Sequence, residues 1–105
     1  MKYYEMRTYT IQPGKLNAYL KHFGDVGVPI ITKYAKLVGF WHTDIGTLNQ
    51  VIHIWEYESL DDRTERRRAL YNDVDWREKF LPQAVPMIVD QKNHIMLASD
   101  FSPIR

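Results

Sequence analysis

The period of the apolar side chains changes several times along the chain, and each change marks a new element. Alternation of apolar and polar residues, the two-residue period of a β-strand, characterises four stretches, which cover residues 3–11, 36–45, 50–57 and 86–98. The second and third stretches are joined by a short connection over 46–49, which predicts a β-hairpin. A bend is expected near 92–93 in the fourth stretch.

Between the first two strands the apolar period becomes helical. The residues at helical spacing are Leu16, Tyr19, Leu20 and Phe23. The same phase continues beyond them, but Gly24, Gly27 and Pro29 interrupt it, and a proline inside a helix removes a backbone donor. We therefore expect a helix over about 14–24 and a shorter one over about 28–35, kinked or broken between them.

A second helical region follows the third strand. Ser59 begins a sequence that resembles a capping box, because its hydroxyl can accept hydrogen bonds from the first amides of a helix. This helix is expected to run to about Tyr71. Trp76 and Phe80 share one helical face and predict another short helix, which Pro82 is expected to end.

The order βαββαβ is that of a ferredoxin-like α+β fold with a four-stranded antiparallel sheet, in a single domain over residues 1–105. Right-handed crossovers place both helical regions on the same face of the sheet. In this topology the first and third strands lie side by side at the centre. The uncovered face of such a sheet is normally polar.

Both faces of the predicted sheet nevertheless carry large apolar side chains. The third strand directs to one face Val51, His53, Trp55 and Tyr57, and to the other Ile52 and Ile54. No further element of the chain remains to cover the second face, and a contiguous apolar patch is typical of an interface. A twofold homodimer formed through the sheet faces is the simplest arrangement that buries it.

The composition disfavours several classes of protein. The chain contains no cysteine, which excludes a disulfide framework, a thiolate nucleophile and a cysteine-ligated zinc site. The net charge of +1 argues against a dedicated nucleic-acid-binding protein. The chain enters a strand at once and lacks an apolar run of about 20 residues, so neither a signal peptide nor membrane insertion is expected. A cytoplasmic protein is the expectation.

Several ordered blocks of the sequence resemble the NIPSNAP family. They are YEMRTYT at 4–10, PGKL at 13–16, LVGFW at 37–41, LNQVIHIWEY at 48–57 and the closing FSP at 101–103. The resemblance covers nearly the whole chain. It implies the dimeric α/β-barrel superfamily, in which two ferredoxin-like sheets face each other and the helices lie outside.

The resemblance implies less about function. NIPSNAP proteins have no agreed reaction, and eukaryotic members are linked to mitochondria and to vesicle-related roles. The superfamily also contains cofactor-independent monooxygenases and haem-degrading enzymes.

The two central strands hold the residues best suited to chemistry. By the period of two, one face of the sheet carries Glu5, Arg7 and Tyr9 from the first strand, and His53, Trp55 and Tyr57 from the third. Trp41 of the second strand is expected to extend this surface. Apolar walls with a few polar groups are typical of small-molecule pockets, so we expect a pocket between sheet and helices, with the tyrosines and tryptophans contacting the substrate.

The polar residues of this pocket have candidate catalytic roles. Arg7 is suited to bind a carboxylate or enolate through its planar guanidinium group. His53 is a candidate general base because the ordinary pKa of histidine lies near neutrality, and Glu5 would orient either residue. The plainer alternative is a buried Glu5–Arg7 pair, with His53 as a core histidine whose hydrogen bonds are satisfied.

Two further patterns carry less weight. His42 and Asp44 share one side of the second strand, but His22 and His94 are not spaced to converge with them, so no metal is expected. No cofactor is expected either, with haem bound through His22 or His53 as a minor alternative. The charged run over 61–68 allows an anion-binding patch. Its acidic residues precede its arginines, however, which the dipole of an ordinary solvated helix prefers.

Three functions remain to be compared. The first is a homodimer with a small-molecule pocket, extending to a cofactor-independent, monooxygenase-like reaction; whether the chain is an enzyme stays open. The second is a non-catalytic protein–protein association module. The third, RNA binding, is disfavoured because the third strand lacks the basic, glycine-rich pattern of an RNA-recognition motif.

Overall fold

The computed structural model describes all 105 residues, and its sheet has the predicted topology. The four strands are β1 (Tyr3–Ile11), β2 (Lys36–His42), β3 (Gln50–Tyr57) and β4 (Ile88–Leu97). They lie in the order β2-β3-β1-β4, and every neighbouring pair is antiparallel. The predicted ferredoxin-like α+β fold is therefore confirmed, with β1 and β3 at the centre.

The first helical region is continuous where the sequence predicted a kink or a break. It consists of α1 (Leu16–His22), a π-helical segment (Phe23–Gly27) and α2 (Val28–Ile31). The Val28 amide donates to the carbonyl of Phe23, five residues back, and Pro29 follows directly. Since the chain takes a wider π turn just before the proline, the helix continues past a residue that lacks an amide donor.

The second helical region begins at the predicted cap but continues beyond the predicted end. It consists of α3 (Leu60–Asn72), a second π-helical segment (Trp76–Phe80), α4 (Leu81–Ala84) and a 3₁₀ turn (Val85–Met87). The Asp62 amide donates to Ser59 Oγ at 2.9 Å, as the capping sequence predicted. Pro82 does not end the helix, because it lies in the first turn of α4, where a proline is tolerated.

The β2–β3 connection is longer than predicted. β2 ends at His42 rather than at residue 45, and the chain turns before β3 begins at Gln50. Gly46 and Asn49 have positive φ values of 133° and 60°, which regular strand residues do not adopt.

The fourth strand is straighter than predicted. β4 pairs with β1 without interruption around residues 92–93, so the bend expected there is absent. Asn93 pairs with Arg7 of β1 within the strand, and its side chain donates to Glu5. The irregularity in this ladder lies nearer the start of β4, opposite Thr10 and Ile11.

A β-bulge in β2 changes the face on which its later side chains lie. Val38 is an extra residue, since its two neighbours pair with consecutive residues of β3. An extra residue reverses the alternation that follows it. Phe40 therefore pairs with His53 on the helix-covered face, whereas Trp41 pairs with Ile52 on the opposite face.

The core lies between the helices and one face of the sheet. The other face, which we call the outer face, has no helix against it and carries an apolar strip that comprises Met6, Trp41, Ile52, Ile54 and Met96. Trp41, the most exposed of these, has 53% of its surface accessible. None of the helices has the length and apolar character needed to cross a lipid bilayer.

Candidate functional site

A cavity of about 290 Å³ lies between the covered face of the sheet and the helices. Sixteen of its 21 lining residues are hydrophobic, so its contacts favour the apolar part of a molecule. The helices contribute the aromatic side chains of Tyr19, Phe23, Tyr71, Trp76 and Phe80.

The structure brings most of the predicted site residues to this cavity. Those that line it are Arg7, Tyr9, His53, Trp55 and Tyr57. The antiparallel register explains the arrangement, since Arg7 lies directly opposite His53 and Tyr9 opposite Val51. The predicted position of Trp41 on this surface is wrong, because the bulge in β2 turns its side chain to the outer face.

Glu5 lies behind the cavity wall at the centre of a buried ionic network. Its Oε2 atom accepts hydrogen bonds from Arg63 Nη2 at 2.6 Å, Asn93 Nδ2 at 2.9 Å and Arg7 Nη1 at 3.1 Å. Burial alone raises the pKa of the Glu5 carboxyl, but the hydrogen bonds from Arg63 and Asn93 and the charge of Arg7 outweigh it, so the pKa lies below its ordinary value. Glu5 is thus a carboxylate that holds Arg7, as in the plainer interpretation of the sequence.

Arg7 is fixed from both sides. Its Nη1 contacts Glu5, and its Nε donates to the Tyr9 hydroxyl at 2.7 Å. The side chain is mostly buried, with 15% of its surface accessible. A guanidinium group held in this way is already oriented before a ligand arrives, which reduces the entropy lost on binding.

The hydrogen bond to Trp55 determines which nitrogen of His53 carries the proton. Trp55 Nε1 donates to His53 Nδ1 at 2.6 Å. Because an indole N–H can only donate, Nδ1 is an acceptor, and the proton of the neutral imidazole resides on Nε2. Burial, reinforced by the charge of Arg7, lowers the pKa of His53 to about 3. The general-base role expected from the sequence does not fit a ring that is neutral, weakly basic and already protonated at its unpaired nitrogen.

His53 has an unused donor in this environment. Its ring stacks on Phe40 at a centroid distance of 4.8 Å and meets Tyr9 edge to face at 5.0 Å. The Nε2 atom is buried and has no hydrogen-bond partner in the protein. Trp76 Nε1, on the helical side of the cavity, is likewise buried and unpartnered.

Sequence reasoning did not assign the helical side of the cavity. Trp76 stacks on Phe80 at 4.2 Å, and Phe80 meets Phe23 edge to face at 5.5 Å, so the two π-helical segments form one aromatic roof. The helical spacing of these residues was visible, but the same spacing describes ordinary core residues. The charged run of α3 also contributes Arg66 and Arg67 to the lining, where only a solvated helix face was favoured.

The profile of the NIPSNAP family matches residues 4–103 of the chain. The chain belongs to the NIPSNAP family. This confirms the resemblance seen in the sequence blocks.

Among the curated relatives of this NIPSNAP protein, NipSnap homolog 3A of Homo sapiens is 37% identical over 94 residues, which cover 89% of this chain and 38% of that protein. NipSnap of Drosophila melanogaster is 32% identical over 105 residues, which cover 95% of this chain and 36% of that protein. The chain thus spans less than two fifths of the length of these relatives.

Solved structures of bacterial NIPSNAP proteins have nearly the same fold. A family member of unknown function from Agrobacterium tumefaciens has a TM-score of 0.95 at 41% identity, covering 99% of this chain and 94% of that chain. A NIPSNAP domain protein from Burkholderia xenovorans has a TM-score of 0.91 at 40% identity, covering 96% of this chain and 98% of that chain. A Bordetella bronchiseptica protein named as a putative antibiotic biosynthesis monooxygenase has a TM-score of 0.70 at 13% identity, covering 93% of this chain and 97% of that chain. At that identity the likeness concerns the fold alone.

Proposed function

We propose that this NIPSNAP protein binds a small, largely apolar molecule in the cavity between its sheet and its helices. The observation that carries the proposal is the pair of buried, unpartnered donors at the cavity, His53 Nε2 and Trp76 Nε1. Leaving a buried donor unpaired costs about 1–3 kcal/mol, a cost that an acceptor atom on a ligand would remove. Tyr9, Trp55 and Tyr57 supply an aromatic floor for such a ligand.

The geometry supports binding better than catalysis. His53, the predicted general base, is protonated at its unpaired nitrogen. Glu5, which was predicted to orient Arg7 or His53, does not line the cavity, and its Oε2 atom accepts three hydrogen bonds. No aspartate or glutamate lines the cavity. A cofactor-independent, monooxygenase-like reaction is the catalytic extension of the proposal, in which Arg7 and His53 would act as hydrogen-bond donors to an enolate; the distant structural neighbours support it only through their shared fold.

A thermal-shift screen with anionic, neutral and cationic aromatic compounds tests binding in the cavity. Val85 lines the cavity and is 56% exposed, so Val85→Trp places an indole at the opening without disturbing the core. Val74→Trp is the matched control, since Val74 is 51% exposed and does not line the cavity. We expect compounds that raise the melting temperature of the wild type and of Val74→Trp but not of Val85→Trp. Compounds that act equally on all three proteins would overturn the proposal.

The proposal includes a homodimer formed through the outer faces of two sheets. The apolar strip of Met6, Trp41, Ile52, Ile54 and Met96 supports it, because burying such side chains is favourable by about 1.5–3 kcal/mol each. Gly39 shapes this surface, since the Trp41 ring occupies the space that a Cβ at that position would need. A second copy presents the same apolar strip, which suits a twofold contact.

A non-catalytic association module remains the second candidate function. The same outer face supports it, since an apolar strip also suits a different protein. The buried unpaired donors of the cavity have no role in that function, which is why small-molecule binding is preferred. A cytoplasmic location is part of the preferred proposal and is compatible with the absence of cysteine.

A further inference from the structure

The charged groups that line the cavity have a single sign. Three guanidinium groups line it, those of Arg7, Arg66 and Arg67, whereas no carboxylate does. Two further residues of the lining, His53 and Trp76, each carry a buried donor without a partner, at Nε2 and Nε1. An electrostatic environment of this kind favours a ligand that brings negative charge and acceptor atoms.

Two of the three guanidinium groups are already paired with a carboxylate of the protein. Arg7 pairs with Glu5 at 3.1 Å. Arg66 pairs with Asp62 at 2.8 Å, and also donates to the Tyr34 carbonyl at 2.7 Å.

Arg67 is different, because its side chain forms neither an ion pair nor a hydrogen bond. Its one charge-related contact places the guanidinium carbon 5.5 Å from the centre of the Tyr71 ring, one helical turn further along α3. The residue is half-buried and lines the cavity. A half-buried cation without a counter-charge at the edge of an apolar cavity is a ready partner for an anion.

The neighbouring charges do not cancel Arg67. Arg63, one turn earlier on α3, directs its guanidinium to Glu5 at 2.6 Å and shares that single carboxylate with Arg7. The network behind the cavity therefore holds two cations and one anion, and Arg67 adds to the positive excess rather than balancing it.

We propose that Arg67 anchors the carboxylate of an aromatic monocarboxylic acid whose ring lies in the cavity. The inference rests on the proposed function, whose ligand it narrows to one chemical class. A planar guanidinium pairs with a carboxylate through two parallel hydrogen bonds, and partial burial strengthens that pair. The aromatic floor and roof suit a flat ring, and a cavity of about 290 Å³ suits a small one. A phosphate carries more charge and is more strongly hydrated. Removing its water would cost more free energy than an ion pair with one free arginine would restore.

Calorimetric titration with 2-naphthoate and 2-naphthamide tests the inference, since the two molecules have nearly the same shape and differ in charge. We expect the wild type to bind 2-naphthoate at least about 10-fold more tightly than the amide, the value of one charge-assisted pair. Arg67→Gln is expected to lose about that factor for 2-naphthoate alone. The affinity of Arg67→Lys for 2-naphthoate should lie between those of the wild type and Arg67→Gln, because lysine keeps the charge but cannot form two parallel hydrogen bonds. Arg68→Gln is the matched control, an exposed arginine on the same helix outside the cavity lining.

Several results would overturn the inference. Equal affinity for the acid and the amide, abolished by Val85→Trp, would leave the cavity as a binding site and remove the role of charge. Unchanged affinity of Arg67→Gln for 2-naphthoate would show that Arg67 does not bind the carboxylate. Tighter binding of 2-naphthyl phosphate would assign the site to another class of anion. Failure of both naphthalene compounds, while other screened molecules act through the cavity, would reject the aromatic carboxylate and spare the proposed function.

Discussion

Glu5 is a buried charge whose partners belong to different elements. Arg7 is on the same strand, Asn93 is on β4 and Arg63 is on α3, so one carboxylate connects the sheet to the helix above it. Because Glu5→Gln leaves two partly buried guanidinium groups without a counter-charge, we expect the free energy of unfolding to fall by about 3–5 kcal/mol in urea titrations.

A surface pair offers the comparison for this loss. Lys21 and Asp25 form an exposed ion pair at 2.7 Å, and Asp25→Asn is expected to leave the free energy of unfolding nearly unchanged, because solvent screens such a pair. A Glu5→Gln variant that loses no more stability than Asp25→Asn would show that the buried network contributes little.

The neutral state of His53 predicts a pH dependence of stability. The folded-state pKa is about 3, below the ordinary value of 6.5, so between these values the unfolded chain binds a proton that the folded chain does not. The free energy of unfolding is therefore at its full value above about pH 6.5 and falls as the pH decreases, by up to about 1.4 kcal/mol per pH unit. Glu5, whose pKa is lowered from an ordinary 4.5, affects the free energy of unfolding only at lower pH, as its carboxylate becomes protonated.

Urea titrations at about pH 7.5 and about pH 5.5 measure this effect. His53→Phe keeps a ring that can stack on Phe40 but has no titrating group, so its stability should change less between the two conditions. The same pH response in both proteins would rule out His53 as its source.

Individual residues were predictable only where the strand pattern was regular. The period of two correctly placed Arg7 and His53 on the same face of the two central strands, and the structure adds that they lie directly opposite each other. It misplaced Trp41, because a bulge adds one residue to a strand without a distinctive sequence signal. The cavity position of Arg67 was not predictable either, since periodicity alone does not show which side of α3 approaches the sheet.

At the scale of elements, the two π-helical segments pack against each other. A Cβ added at Gly27 would lie 2.7 Å from Phe80 Cε1, so the close contact of the segments requires a glycine there. We expect Gly27→Ala to lower the free energy of unfolding by about 1–3 kcal/mol, as overpacking does.

Gly24→Ala, in the same segment, is the control for this prediction. A Cβ there would meet nothing within 4 Å, so the substitution should be neutral or stabilising by up to about 1 kcal/mol. Phe80→Leu should recover part of the loss in Gly27→Ala, and equal stability of the two glycine variants would contradict the contact.

The order of strands and helical regions was predictable, but the ends of the elements and the π-helical segments were not. The cap at Ser59 is specific chemistry and was found. Proline was overvalued as a helix breaker at Pro29 and Pro82, because a π turn precedes each and allows the helix to continue. The bend expected at Asn93 is absent: Asn93 pairs with Arg7 of β1, and its side chain contacts Glu5, neither of which local sequence shows.

At the scale of the whole molecule, the fold was predictable because strand order, crossover handedness and binary pattern agree. The homodimer stays a prediction that light scattering checks. We expect the mass of two chains for the wild type and of one chain for Ile54→Lys, which places a charge in the apolar strip. Ala69→Lys, on the exposed side of α3, should remain dimeric. A single-chain mass for the wild type at micromolar concentration would remove the dimer from the account.

The crystal structure of the protein grown with the compound that stabilises it most in the thermal-shift screen tests the central claim most directly. We expect the aromatic ring of that compound to lie between the sheet and the helices, between Trp55 and Phe80, with an acceptor atom at His53 Nε2. A compound that is ordered only on the outer face, with none in the cavity, would contradict the proposed binding site.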